Sequence, residues 1–144
     1  MNEDCFHLGI KALIRNKEGK ILLLKVNKKT LKKHTREEYW DIPGGRIHRD
    51  STVKETLKRE IQEETGLAIK SIRPIRMMLS NIRIPMDRTD VGLILSVYDC
   101  SINGNNKVVL SPEHTEAQWF DPKKASVLLE VKYPKEFTKK IAGL

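Results

Sequence analysis

Cysteine is scarce in this chain: two residues in 144, Cys5 and Cys100, neither standing in a Cys/His spacing that binds metal. That excludes a disulfide framework and a zinc module, and it points to two idle thiols in a reducing compartment. Glycine and proline are also few, at eight and six. With 39% hydrophobic and 32% charged residues, collagenous, low-complexity and disordered classes drop out. Long apolar runs are missing: residues 21–24 and 91–97 fall far short of the ~20 residues that a membrane helix needs. The acidic start, Met1-Asn2-Glu3-Asp4, has no basic region and no apolar stretch behind it, so no secretory leader is expected. What remains is the expectation of one cytoplasmic domain over residues 1–144 with no membrane partner.

What is present in excess is positive charge: 27 Lys and Arg against 19 Asp and Glu, a formal net charge of +8. A basic surface concentrates phosphates, nucleotides and RNA without choosing among them. Strand-like and helix-like stretches alternate without an internal repeat, which predicts an α/β or α+β unit. Residues 7–15 and 20–26, separated by Asn16-Lys17-Glu18-Gly19, read as a β-hairpin. Further strands are expected at 39–42, 68–79, 91–98, 107–110 and 117–120. Helices are expected over 52–65, from Pro122 to about residue 130, and over 133–141.

The informative helix is 52–65. Thr52 and Glu55 are spaced for a capping box, and Gly66 stands where a C-terminal glycine ends a helix. At roughly 100° per residue, Val53, Leu57 and Ile61 form an apolar stripe spanning about 80°. Glu60 and Glu64 fall at about −20° and 20°, in line with that stripe, and Glu63 at about −80° flanks them. Like charges one turn apart destabilise a helix, and the C-terminal half disfavours carboxylates. Either the helix end turns outward and the glutamates are solvated, or a hard dication resolves the conflict, since Mg²⁺ takes carboxylate, water and phosphate oxygens.

The run from Gly45 to Leu67, GRIHRDSTVKETLKREIQEETGL, resembles the box of the Nudix hydrolases, G-x5-E-x7-R-E-U-x-E-E-x-G-U with U apolar. Gly45, Arg59, Glu60, Ile61, Glu63, Glu64, Gly66 and Leu67 match in spacing. One position departs: Ser51 stands where the first box glutamate belongs, and Asp50 or Glu55 is the expected replacement partner for Arg59. The resemblance implies an α/β/α sandwich, a mixed β-sheet flanked by helices. It implies metal ligands Glu60, Glu63 and Glu64 with the Gly44 carbonyl, and a catalytic set of Glu60, Glu63, Glu113 and the orienting Arg59. The implied cofactor is Mg²⁺, with Mn²⁺ as substitute. The implied reaction is hydrolysis of the pyrophosphate link of a nucleoside diphosphate derivative, whether a nucleoside triphosphate, a dinucleoside polyphosphate or ADP-ribose.

Substrate contacts are expected from Lys28, Arg36, Trp40 and Arg83. Lys28 and Arg36 lie in a basic connector that also holds Lys25, Lys29, Lys32, Lys33 and His34. No spacing around His7, His48 or His114 indicates a zinc or nucleophilic site. The competing reading is a catalytically weak module of the same fold that binds nucleotide or RNA. A small nucleotide is the favoured partner, and monomer and homodimer both stay open.

Overall fold

Two strands carry apolar side chains on both faces, and covering both faces dictates the layering. The computed structural model describes residues 2–26, 38–104 and 107–144. In β1 (Phe6–Ile14), Ile10, Ala12 and Ile14 face one buried cluster and Leu13 the other. In β2 (Ile21–Val26), Leu22 and Leu24 join the first cluster, Ile21 and Leu23 the second. Helix α1 (Val53–Thr65) closes the first with Leu57 and Ile61. Helices α2 (Pro122–Leu128) and α3 (Lys135–Ala142), with the 3-10 turn Leu129–Val131 between them, close the second through Ala125, Leu129, Phe137 and Ile141. The result is a mixed α+β architecture with helices on either side of the strands.

The remaining strands are β3 (Trp40–Asp41), β4 (Gly44–Arg46), β5 (Ala68–Leu79), β6 (Ile84–Pro85), β7 (Asp90–Asn103) and β8 (His114–Phe120). One sheet runs β4-β1-β7-β5, with β6 on β7; the other runs β3-β2-β8. Only the β1–β7 pair is parallel among these, in register from Phe6↔Gly92 to Ile14↔Cys100. Pro74 is tolerated because β5 is an edge strand whose register shifts between Pro74 and Arg76.

The expected hairpin exists only at its turn. Gly19 has φ 78° and donates its N–H to Asn16 O at 3.0 Å. Pairing ends at the single bridge Arg15↔Ile21, and β1 and β2 then enter different sheets. The turn specifies a reversal, whereas two doubly buried strands take the longer-range partners that cover them. The expected strand at 107–110 is irregular instead. Its Val109 N–H donates to Thr65 O at 2.9 Å, closing the end of α1. The local signals around α1 hold: Thr52 Oγ1 accepts from Glu55 N–H at 3.1 Å, Thr52 N–H donates to Glu55 Oε1 at 3.0 Å, and Gly66 is left-handed at φ 71°. Both cysteines are free; Cys5 is exposed, and burial pushes the Cys100 thiol up to about 12. No helix among the described residues is long and apolar enough to cross a membrane.

The two sheets are joined by a buried charge. Asp41 on β3 accepts from Lys11 Nζ at 3.1 Å and Lys132 Nζ at 2.5 Å through Oδ2. Its Oδ1 accepts from Tyr133 Oη at 2.6 Å and from Ile42 N–H at 2.8 Å. Burial by itself raises this carboxyl, but the Lys11 and Lys132 ammoniums hold it well below the usual carboxylate range. Replacing it leaves two ammoniums buried with no counter-charge, so Asp41→Asn is expected to lose about 3–5 kcal/mol in urea unfolding at neutral pH.

Candidate functional site

The C-terminal half of α1 delivers two glutamates, Glu60 and Glu64, to the Gly44-Gly45 strand. Glu64 is 5% exposed, and its Oε1 accepts the Gly44 N–H at 2.7 Å. Glu60 is partly buried, and Arg59 Nη2 donates to its Oε1 at 3.3 Å. Glu63 is exposed. The helix end therefore does not turn outward; the phase that aligned Glu64 with the apolar stripe also buries it. Gly45 has no side chain because Glu60 fills that space: a Cβ there stands 2.5 Å from Glu60 Cδ. Gly44, at φ 150°, is pressed against the backbone of Ile10 and Lys11, which excludes any side chain.

A second element reaches the same place. The start of β8 brings His114 Nε2 to 3.5 Å from Glu64 Oε2, with the imidazole only 9% exposed. Ligand atoms of Glu64, Glu113 and His114 all lie within 4.8 Å of one another. Burial, opposed by Lys11 and the Gly44 N–H, pushes the Glu64 carboxyl up to about 7. Burial, then Lys11, pushes His114 down to about 4, so its ring is neutral at physiological pH. His114 is the residue that sequence spacing missed. Its partner lies on a distant helix, and the adjoining Glu113 was the only local signal.

Beside the Gly-Gly strand opens a cleft of about 170 Å³, lined by Lys11, Arg46, Lys132 and the apolar Ile84, Leu93 and Leu95. Lys11 and Lys132 share the single carboxylate of Asp41, so this wall carries excess positive charge. Trp40 and Arg83, two of the residues expected to touch substrate, are not among those lining this cleft. Trp40 stacks edge-on against Phe120 at 5.1 Å, with the Lys25 ammonium 5.8 Å from its ring centre. Lys25 also pairs with Glu116 at 3.3 Å. Arg83 forms a fork on Asp4 at 2.8 and 2.9 Å and reaches Asp90 at 2.8 Å. Lys28 and Arg36, with Lys29, Lys32, Lys33 and His34, lie outside the described residues. Glu55 closes the α1 capping box rather than pairing with Arg59, and Asp50 sits at a left-handed turn with φ 64°.

A family model described as the NUDIX domain matches residues 6–141. The chain belongs to the Nudix family. A MutT-like protein of Streptomyces ambofaciens is 29% identical over 87 residues, which are 60% of this Nudix chain and 51% of the relative. The chain thus spans about half the length of that curated relative. The structure is similar to that of a MutT protein from Methanosarcina mazei Go1, with TM-score 0.68 and 28% identity over 98% of this chain and 94% of the other. A MutT NUDIX hydrolase from Burkholderia pseudomallei shares the Nudix fold at TM-score 0.63 and 23% identity, covering 96% of each chain. The Nudix family is one of hydrolases acting on phosphorus-containing anhydrides, and in this member the box helix is the one that carries the buried glutamate.

Two outcomes follow from the geometry. The raised Glu64 carboxyl favours folding fully below its unfolded value near 4.5, and that contribution is lost as pH rises through about 7. In chelator, Glu64→Gln is therefore expected to be more stable than wild type at pH 8, by on the order of 2 kcal/mol, and little different at pH 4. Denaturant unfolding at the two pH values checks this. The nearest atoms to a Gly45→Ala methyl are the carboxylate end of the Glu60 side chain, which can turn aside, so the change is expected to cost little stability. It displaces that carboxylate, and divalent-cation affinity measured calorimetrically should fall about tenfold or more.

Proposed function

We propose that this protein hydrolyses the pyrophosphate link of nucleoside diphosphate derivatives with the help of a divalent cation, Mg²⁺ in the first instance. The observation that carries the reading is Glu64: a carboxylate held in the interior beside Glu60, without a salt bridge to a lysine or arginine among the described residues. Its donor set fits a hard dication, because carboxylate oxygens are the ligands such ions take. Glu60, Glu63 and Glu64 would hold the ion, with the Gly44 backbone alongside. When bound, the cation neutralises phosphate charge and activates water, which is most of what phosphoryl transfer asks.

The chain's own groups supply the rest. The Gly44 N–H holds one oxygen of Glu64 at 2.7 Å, and the Arg59 guanidinium lies beside Glu60 with Nη2 3.3 Å from Oε1. Lys11, Arg46 and Lys132 line the adjoining cleft and supply positive charge for the substrate's phosphates. Glu63 and Glu113 are solvent-facing carboxylates suited to take a proton from water. The cleft's apolar wall of Ile84, Leu93 and Leu95 offers a surface for a base or other planar group.

The test is product release from nucleoside triphosphates, dinucleoside polyphosphates and ADP-ribose, with and without Mg²⁺. Turnover should require the cation, and kcat should fall at least about 100-fold in Glu64→Gln. Arg46→Ala should raise KM with a smaller change in kcat. Absence of turnover on every substrate, together with RNA binding that weakens steeply with salt, would overturn the reading in favour of a binding module.

A further inference from the structure

His114 is a buried ring whose nitrogens are poorly served. Nδ1 is buried without a hydrogen-bond partner, and Nε2 faces Glu64 Oε2 at 3.5 Å, beyond the 2.7–3.2 Å range of a formed N–H···O bond. The other unpaired buried side-chain atom among the described residues is Ser111 Oγ, on the same turn, which the His114 N–H closes by donating to Ser111 O at 3.2 Å. Each such group costs on the order of 1–3 kcal/mol when left unsatisfied. Packing does not call for imidazole here, because an apolar ring of the same shape would carry no such cost.

The arrangement makes sense if the ring is a donor. Glu64, Glu113 and His114 present ligand atoms within 4.8 Å of one another, a few tenths of an ångström wider than the roughly 4.4 Å that one ion with bonds of about 2.2 Å can span, so small side-chain movements bring them onto it. A bond from one His114 ring nitrogen to a cation would serve a nitrogen that now lacks a formed hydrogen bond, and the same ion would relieve the desolvated Glu64. We propose that His114 contributes a ring nitrogen to the cation that Glu64 holds, and that this nitrogen raises the site's affinity for a first-row transition dication more than for Mg²⁺. Mg²⁺ binds oxygen and keeps its waters, whereas imidazole suits transition dications. The inference rests on the metal-dependent reading above and adds a nitrogen to an otherwise all-oxygen site.

The probe is Mn²⁺, whose unpaired electrons report directly bound nitrogen in pulsed electron paramagnetic resonance. The wild-type Mn²⁺ complex is expected to show a strongly coupled nitrogen, and His114→Gln to lose it. Calorimetry should show Mn²⁺ affinity falling about tenfold in the variant, with Mg²⁺ affinity changing less. Should His114→Gln not fold, ¹⁵N labelling of histidine in the wild-type protein, with His7, His34 and His48 each replaced in turn, makes the assignment without it: the coupling changes isotope signature if the ligand is an imidazole, and it survives all three replacements if that imidazole is His114. An oxygen-only spectrum from the wild type, or a nitrogen signal that survives in His114→Gln, overturns the proposal. Turnover that requires Glu64 together with an oxygen-only spectrum removes the nitrogen ligand and leaves the hydrolase standing. Turnover indifferent to Glu64→Gln removes the reading beneath it.

Discussion

Asp41 holds the two sheets and the C-terminal segment in one arrangement, and the cleft depends on that arrangement. Lys11 comes from β1 in one sheet, Asp41 from β3 in the other, and Lys132 and Tyr133 from the chain just before α3. The segment carrying Lys132 is fastened in turn. Ser80 Oγ and Asn81 N–H donate to Lys132 O at 2.7 and 2.9 Å, and Asn81 Nδ2 donates to Glu130 O and Tyr133 O at 2.9 Å each. A buried ion cluster of this kind adds little net stability over apolar packing, but losing one member is costly, so it selects a single alignment. The alignment it selects leaves two ammoniums on the cleft wall for one carboxylate.

The site runs against the local preferences of its own helix. Glu64 is desolvated near a helix C-terminus, with Glu60 one turn away, and both circumstances oppose its charge. Other features of the helix offset this: the reciprocal capping box at Thr52 and Glu55, the left-handed Gly66, and Leu57 and Ile61 fully buried beneath it. A segment locally consistent everywhere except at its carboxylates is the pattern expected of a functional element. The same logic covers the glycines. Gly45 leaves space that the Glu60 carboxylate occupies, and Gly44 lets the strand lie flat on β1 and turn an amide toward Glu64.

Helix α1 was legible almost residue by residue, because its cap, stripe and terminator are interactions within four residues along the chain. The turn at Gly19 and the helix start at Pro122 were legible for the same reason. The hairpin was not, since a turn says nothing about which strand each arm prefers, and β1 finds its parallel partner β7 far along the chain. Trp40 and Arg83 illustrate a second limit. Residue type suggested stacking and phosphate binding, but Phe120, Asp4 and Asp90 engage them, and those neighbours are brought close only by the sheets.

The sequence by itself determined the box helix, the phase of its three glutamates and the glycine that ends it, because helical periodicity and turn stereochemistry are local. It also determined the excess of positive charge. Only the tertiary structure decided which charges face the site. Packing of the sheets placed Lys11 and Lys132 around Asp41, brought His114 at the start of β8 and Glu113 just before it to Glu64, and set Arg83 against Asp4 and Asp90. Those are contacts between residues far apart in the chain, set by which strands cover which faces, and no spacing along the sequence encodes them.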